Sequence, residues 1–154
     1  MKKILLSTLI CGSLFTGSAM ADLYSSSVQL YKINKTDPTA DILVSSVSTA
    51  LTDDGVTAPV SSLRTISIPD SKTKDEKQVD EGVTLNSTLY KTDKGLLYYF
   101  DYHFSHYNLI SKEENRLQKV DYQQKIIVEP GKTYKLDGFG DTYLKVKVEK
   151  VSKP

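Results

Sequence analysis

The sequence predicts an all-β domain, either an antiparallel β sandwich or a small β barrel of about eight strands. Three observations indicate this class. Tyr, Val, Thr and Ile are frequent while Trp is absent, and these β-branched and aromatic residues suit a pleated, half-buried surface. Short segments alternate apolar and polar residues between clusters of turn-forming residues. No stretch has the 3.6-residue apolar periodicity of a packed helix.

Residues 1–21 have the pattern of a cleavable signal peptide of the Sec type. Two lysines precede the apolar stretch Ile4–Phe15, and a small-x-small cleavage site ends at Ala21. The apolar stretch is shorter than the ~20 residues that span a bilayer. Lipid attachment at Cys11 is a weaker interpretation, because bulky Ile10 stands where lipoprotein signals carry a small residue. We therefore expect cleavage after Ala21 and a periplasmic or secreted protein.

Residues 22–154 then form one domain without a disulfide, because the only cysteine lies in the predicted signal peptide. A chain of this size can bury enough surface to fold on a single core. The 20 basic and 19 acidic residues leave almost no net charge, so no bulk field attracts nucleic acid. No second apolar run is long enough for a transmembrane helix. The oligomeric state stays open.

Turn chemistry divides residues 22–154 into eight candidate strands. The clearest turns are Asn34–Pro38, Asp53–Gly55, Thr92–Gly95, Pro130-Gly131 and Asp137-Gly138. The charged segment 69–81 is interpreted as a mobile loop between strands. The predicted strands are Leu23–Ile33, Asp41–Thr49, Val60–Ile68, Val83–Lys91, Leu96–Leu109, Leu117–Val128, Thr133–Leu136 and Thr142–Val151.

Two of these strands alternate most clearly. In Leu96–Leu109 four aromatic residues at every second position share one face, and a more polar set shares the other. This indicates a core strand with one wet face, and a lipid-facing strand of a membrane barrel is the weaker alternative. In the last strand, Tyr143, Lys145, Lys147 and Glu149 share the polar face. The predicted core consists of Tyr98, Phe100, Tyr102, Phe104, Ile126, Val128, Leu144, Val146 and Val148.

Catalytic and metal-binding patterns are missing from the sequence. Asp101, His103 and His106 could suggest a metal, but on a strand His106 points away from the other two. No serine lies in a Gly-x-Ser-x-Gly elbow, and the mature chain has no cysteine nucleophile. The loop Asp137–Asp141 lacks the Lys-Ser/Thr of a phosphate-binding loop. We therefore expect no enzyme, no cofactor and no metal site.

Several short motifs between Ser46 and Gly140 resemble the C-terminal β domain of the secretins, the outer-membrane gates of bacterial secretion and pilus systems. The Val-Pro motif that sits between these stretches in the family is missing, and so are its periplasmic ring domains. The resemblance implies an accessory or stand-alone relative of such a machine. The segments that carry it are Pro59–Ile66, Val79–Asn86, Lys94-Gly95, Val128–Thr133 and Leu136–Phe139.

The sequence favours a non-enzymatic exported interaction module of the bacterial cell envelope, with a protein partner. Exposed sheet edges and outward tyrosines would supply the contacts, although cross-strand pairs that cover the wet face are the favoured interpretation of the tyrosines. One alternative is a periplasmic inhibitor of a hydrolase such as lysozyme, acting through the loop Asp137–Asp141. Another is a small adhesin-like binding domain of the cell surface. The candidate interaction residues are Tyr99, His103, Tyr107, Asp137, Phe139 and Asp141.

Overall fold

The protein is described here from a computed structural model that covers residues 21–37, 39–69, 75–109, 115–138 and 140–151. The predicted signal peptide, apart from Ala21, lies outside these residues. Within the described ranges, no helix has the length and apolar character that a membrane span requires.

The described residues form eight β-strands, and each corresponds to one predicted strand. The first and last residues of the strands agree with the predicted ones to within a few residues. The exceptions are β3 and β4, which are longer than predicted. The strands are β1 Leu23–Lys32, β2 Ile42–Thr52, β3 Asp54–Pro69, β4 Glu76–Thr92, β5 Gly95–Leu109, β6 Asn115–Val128, β7 Thr133–Asp137 and β8 Thr142–Lys150.

The strands form two antiparallel four-stranded sheets, which we call sheet A and sheet B. Sheet A has the order β2-β1-β8-β7, and sheet B has the order β3-β4-β5-β6. Their inner faces share one core, and the buried Tyr98 hydroxyl of sheet B donates to Ser26 Oγ of sheet A over 3.2 Å. The sequence left a β sandwich and a small β barrel open, and the architecture is the β sandwich.

The core lies where the alternating apolar faces meet, as predicted. Seven of the nine predicted core residues are buried, and Phe104 and Ile126 are half-buried and pack against them. The sequence-based list omitted the contributions of β1, β2 and β4. These are Tyr24, Val28, Leu30, Val47, Leu51, Leu85 and Leu89.

The prediction of a mobile loop over residues 69–81 is wrong at both of its described ends. β3 continues to Pro69 and β4 already begins at Glu76, while residues 70–74 lie outside the described part of the chain. Ile66 faces Val79 in this segment. Polar hydrogen bonds also join the two strands, since Thr65 Oγ1 donates to Asp80 Oδ1 over 2.7 Å and Ser67 Oγ donates to Glu76 Oε2 over 2.7 Å. A charged segment can thus extend a hairpin when its hydroxyl and carboxylate groups face each other.

Candidate functional site

Three of the candidate residues lie on the outward face of β5. Tyr99, His103 and Tyr107 are four residues apart, so the two-residue repeat of the strand places them on one face. The Tyr99 hydroxyl accepts a hydrogen bond from the Gln123 side chain of β6. The Tyr107 hydroxyl is buried and has no hydrogen-bond partner among the described residues. Tyr99 is thus held in a cross-strand pair, which was the alternative interpretation of the outward tyrosines.

His103 lies between two carboxylates. Its Nδ1 is 2.6 Å from Asp121 Oδ1, and its Nε2 is 3.1 Å from Asp101 Oδ1. The hydrogen bond to Asp121 is the main cause of a raised His103 pKa, and the charge of Asp101 adds to it. His106 points to the other face of β5, where its Nδ1 is 3.6 Å from Glu81 Oε2. The opposite orientation of the two histidines follows the predicted strand alternation.

A groove of about 670 Å³ runs along β6, between this edge strand and the turn that joins β7 to β8. Asp137, one of the candidate residues, lines it from the end of β7. Residues 119–124 of β6 line the other side, and Gly138 and Thr142 close the end. The groove therefore lies beside β6, one of the two edge strands of sheet B in the described part of the chain.

The β7–β8 turn that borders this groove is anchored at both ends. Asp141 forms an ion pair of 2.9 Å with Lys35, and its main-chain carbonyl accepts from the Ile33 N–H over 2.7 Å. Gly138 leaves room for the Tyr122 hydroxyl, because a Cβ at this position would lie only 1.3 Å from that oxygen. Phe139 lies outside the described residues. The glycine-rich segment is thus a turn held close to β6, as its turn chemistry predicted.

A buried carboxylate that the prediction did not include lies on the inward face of sheet B. Glu81 is 4% exposed and forms an ion pair and a hydrogen bond with Arg64 of β3. It also accepts the Tyr107 N–H over 3.1 Å, and this bond is the main cause of its lowered pKa. The glycine that follows it was a signal in the sequence, because an isolated glycine in a strand marks a bulge or a close backbone approach.

Among the described residues, no three His, Cys, Asp or Glu side chains are arranged to hold a metal ion. The candidate residues form two sets, one on the outward face of β5 and one at the β7–β8 turn. Asp121 lies between the sets, because it contacts His103 and also lines the groove beside β6.

Neither a protein-family model nor a curated relative matches the chain. Its structure resembles secretin domains weakly. It aligns with the secretin-domain β-barrel of InvG from the Salmonella SPI-1 injectisome at 9% identity and a TM-score of 0.48, over 86% of this chain and 62% of that one. A second InvG structure aligns at 10% identity and a TM-score of 0.49, over 87% and 63% of the two chains. The basal-body structure of InvG, PrgH and PrgK gives 10% identity and a TM-score of 0.49, over 87% of this chain and 44% of that one. This chain therefore spans less than two thirds of each of these three chains.

Proposed function

We propose that this protein is a non-enzymatic, exported interaction module of the bacterial cell envelope that binds a protein partner along the free edge of β6. The observation that carries the proposal is the groove of about 670 Å³ beside that edge. A partner strand that pairs with the edge would find room there for its side chains.

The free edge supplies the affinity of this mode of binding. Among the described residues, β6 pairs with β5 on one side and with no strand on the other, so alternate main-chain groups of β6 point outward. An extended segment can add to such an edge by main-chain hydrogen bonds, while the adjacent side chains set specificity.

The side chains beside the edge would set this specificity. Gln123 and Gln124 are exposed on opposite faces of β6, and their amides can both donate and accept. Asp121 and Asp137 add negative charge to the groove lining. We expect a partner segment that carries hydrogen-bonding groups and a basic residue.

The cellular setting of the proposal rests on sequence features. The basic, apolar and small-residue pattern of residues 1–21 supports export, and the motifs between Ser46 and Gly140 support a role beside a secretion or pilus secretin. An accessory or relative of such a machine would meet its partner in the periplasm or at the outer membrane.

Photo-crosslinking in living cells tests the proposal. A photoreactive phenylalanine derivative replaces Gln124 at the free edge, and a matched control carries it in place of Lys147, on the outward face of the interior strand β8. We expect a covalent adduct with one envelope protein from the Gln124 variant and a much weaker one from the Lys147 variant, both identified by mass spectrometry. Fractionation of the same cells should place the protein in the periplasm or outer membrane.

Three results would contradict the proposal. Equal yields of adduct from both positions would show that the β6 edge is not the contact surface. Retention of the protein in the cytoplasm would contradict its export. Capture of a muramidase through the β7–β8 turn would favour the inhibitor alternative instead.

A further inference from the structure

Sheet B divides into two hairpins at one end. Pairing between β4 and β5 stops at Gly82 and Ser105, whereas β3 stays paired with β4 and β5 stays paired with β6 well beyond that point. We call the resulting opening the fork. Its two sides are Glu76–Glu81 of β4 and His106–Leu109 of β5, and no ladder pair joins these two described segments.

Side chains occupy the positions of the missing main-chain partners in the fork. If the ladder continued, Glu81 would face His106 and Asp80 would face Tyr107. Instead, the Tyr107 N–H donates to the Glu81 carboxylate over 3.1 Å, and the Asp80 carbonyl accepts from the Ser105 hydroxyl over 3.0 Å. One main-chain donor and one main-chain acceptor thus face the opening, each satisfied by a replaceable side chain.

Each face of the sheet has a recess at the fork. The inward recess is about 280 Å³ and the outward recess about 390 Å³, and both are lined by Gly82 and Ser105. Successive side chains of an extended strand point to opposite faces of a sheet. A strand placed between the hairpins would therefore have space for its side chains on both faces.

We propose that the fork receives an extended segment of a partner protein as an additional strand between β4 and β5. This proposal rests on the function proposed above and adds a second contact to the β6 edge. The inserted strand offers a carbonyl to the Tyr107 N–H and an N–H to the Asp80 carbonyl, and so displaces the Glu81 carboxylate and the Ser105 hydroxyl. Because it pairs on both sides, it forms main-chain hydrogen bonds with two strands rather than one.

Charge complementarity indicates the chemistry of that segment. Opposite charges line both recesses at the fork. Arg64 pairs with Glu81 on the inward face, and His103 pairs with Asp121 on the outward face. The outward recess is also lined by Asp80 and Lys119, whose charges are opposite. A charged side chain in either recess would have to compete with these pairs. The segment that fits is uncharged, with small or β-branched side chains beside Gly82.

Amide NMR of the purified protein with a defined peptide tests the inference. The probe is a blocked hexapeptide of alternating threonine and valine, and the control is the same peptide with alternate amide nitrogens methylated. We expect the Tyr107 amide resonance to shift on titration of the probe to millimolar concentration. N-methylation removes the donors that main-chain pairing needs, so the control should leave that resonance unchanged.

Removal of the competing hydroxyl provides a second measurement on a variant that keeps the fold. Ser105→Ala frees the Asp80 carbonyl, and we expect the probe to bind about three- to tenfold more tightly, the effect of one hydrogen bond. Ser61→Ala removes an exposed hydroxyl from β3 outside the fork and should leave the affinity unchanged. Matching thermal melts of both variants with the parent protein would establish that they fold alike.

Several outcomes would overturn the inference. These are no shift at Tyr107, equal shifts with the methylated peptide, shifts confined to the β6 edge, or equal affinities for the Ser105→Ala and Ser61→Ala variants. Concentration-dependent shifts of the fork amides without peptide would assign the fork to a second copy of this chain instead. If the Gln124 variant still gives its crosslink but the probe peptide shifts no amide resonance at the fork, the inference fails and the proposed function stands.

Discussion

At the scale of single residues, His103 links the strands of the outward face through charge. It is the side chain on that face that titrates near neutral pH, and both of its ring nitrogens face carboxylates. The native state therefore holds the imidazolium more tightly than the unfolded chain does, and its pKa lies above the ordinary value of 6.5.

We expect this pKa shift to make stability depend on pH. The contribution of His103 is complete below the ordinary histidine pKa and is lost as the pH rises through the raised native pKa. The urea concentration at the unfolding midpoint should therefore decrease as the pH is raised from about 5.5 to about 8.5. This decrease should be smaller in a His103→Gln variant. An unchanged pH dependence in that variant would show that the carboxylates do not act through His103. Asp121→Asn should lower the pKa of His103 in an NMR titration.

Tyr98 places a hydroxyl in the dry interface between the sheets. Its oxygen lies 2.8 Å from Ser87 Oγ and 3.2 Å from Ser26 Oγ, and the side chain is fully buried. Burial raises its pKa, so the group stays neutral and can donate. These bonds connect sheet B to β1 at the centre of the core.

The Tyr98→Phe variant should lose about 1–3 kcal/mol of unfolding free energy, because two buried serine hydroxyls lose their partner. Tyr99→Phe, on the outward face of the same strand, should change stability by no more than about 0.5 kcal/mol. Urea denaturation of both variants measures the difference. Equal losses would mean that the buried hydroxyl network contributes little.

At the scale of strands, Gly82 determines where β4 can pass beside β3. Its φ is +136°, and a Cβ built there would lie 2.0 Å from the Ser62 carbonyl oxygen. The pairing of β4 with β5 also ends at Gly82, next to Glu81. The glycine therefore lets the backbone bend at the point where sheet B divides.

Comparison of two glycine variants tests this role. Gly131 has a φ of +86° with no atom within 4 Å of a built Cβ, so Gly131→Ala meets backbone strain alone. Gly82→Ala meets strain and a main-chain clash, and it should cost at least about 1 kcal/mol more. Thermal or urea unfolding of the two variants provides the comparison. Equal costs would contradict the close approach to Ser62.

The strands themselves could be predicted well from local pattern, and the errors have a physical cause. Apolar alternation marks a strand only where one face packs on a core. The distal parts of β3 and β4 lie beyond most of the core, so much of their strand signal is polar. Thr65 faces Asp80, and Ser67 donates to Glu76, which lies two residues from its facing partner Gln78. Without the register, these residues resemble a solvated loop.

At the scale of the whole molecule, the two sheets share one core, while the hairpins of the fork extend past it. We expect amide hydrogen exchange to separate these regions. Amides of Tyr98, Phe100 and Tyr102 should exchange only through global unfolding, whereas those of Lys77–Asp80 should exchange faster through local opening. Equal protection in both regions would contradict the division of sheet B.

Tyr143 illustrates what depends on distant parts of the chain. Alternation correctly assigns it to the outward face of β8, but it is only 3% exposed. The Tyr31 ring stacks on the Tyr143 ring at a centroid distance of 5.3 Å. The Tyr143 hydroxyl donates to Asp41 Oδ2 over 2.7 Å, and this hydrogen bond raises the pKa of Tyr143 to about 12. Neither partner is near Tyr143 in sequence, so its burial could not be predicted.

The sequence by itself determined the all-β class, the number of strands, most of the core and the opposite directions of His103 and His106. These properties follow from two-residue alternation and turn chemistry, which act over a few neighbouring residues. Only the tertiary structure decided the strand order, the groove beside β6, the carboxylates around His103 and the fork at Glu81 and Gly82. Each of these depends on register between strands, because residues that meet across a sheet are separated along the chain by lengths that no local pattern encodes.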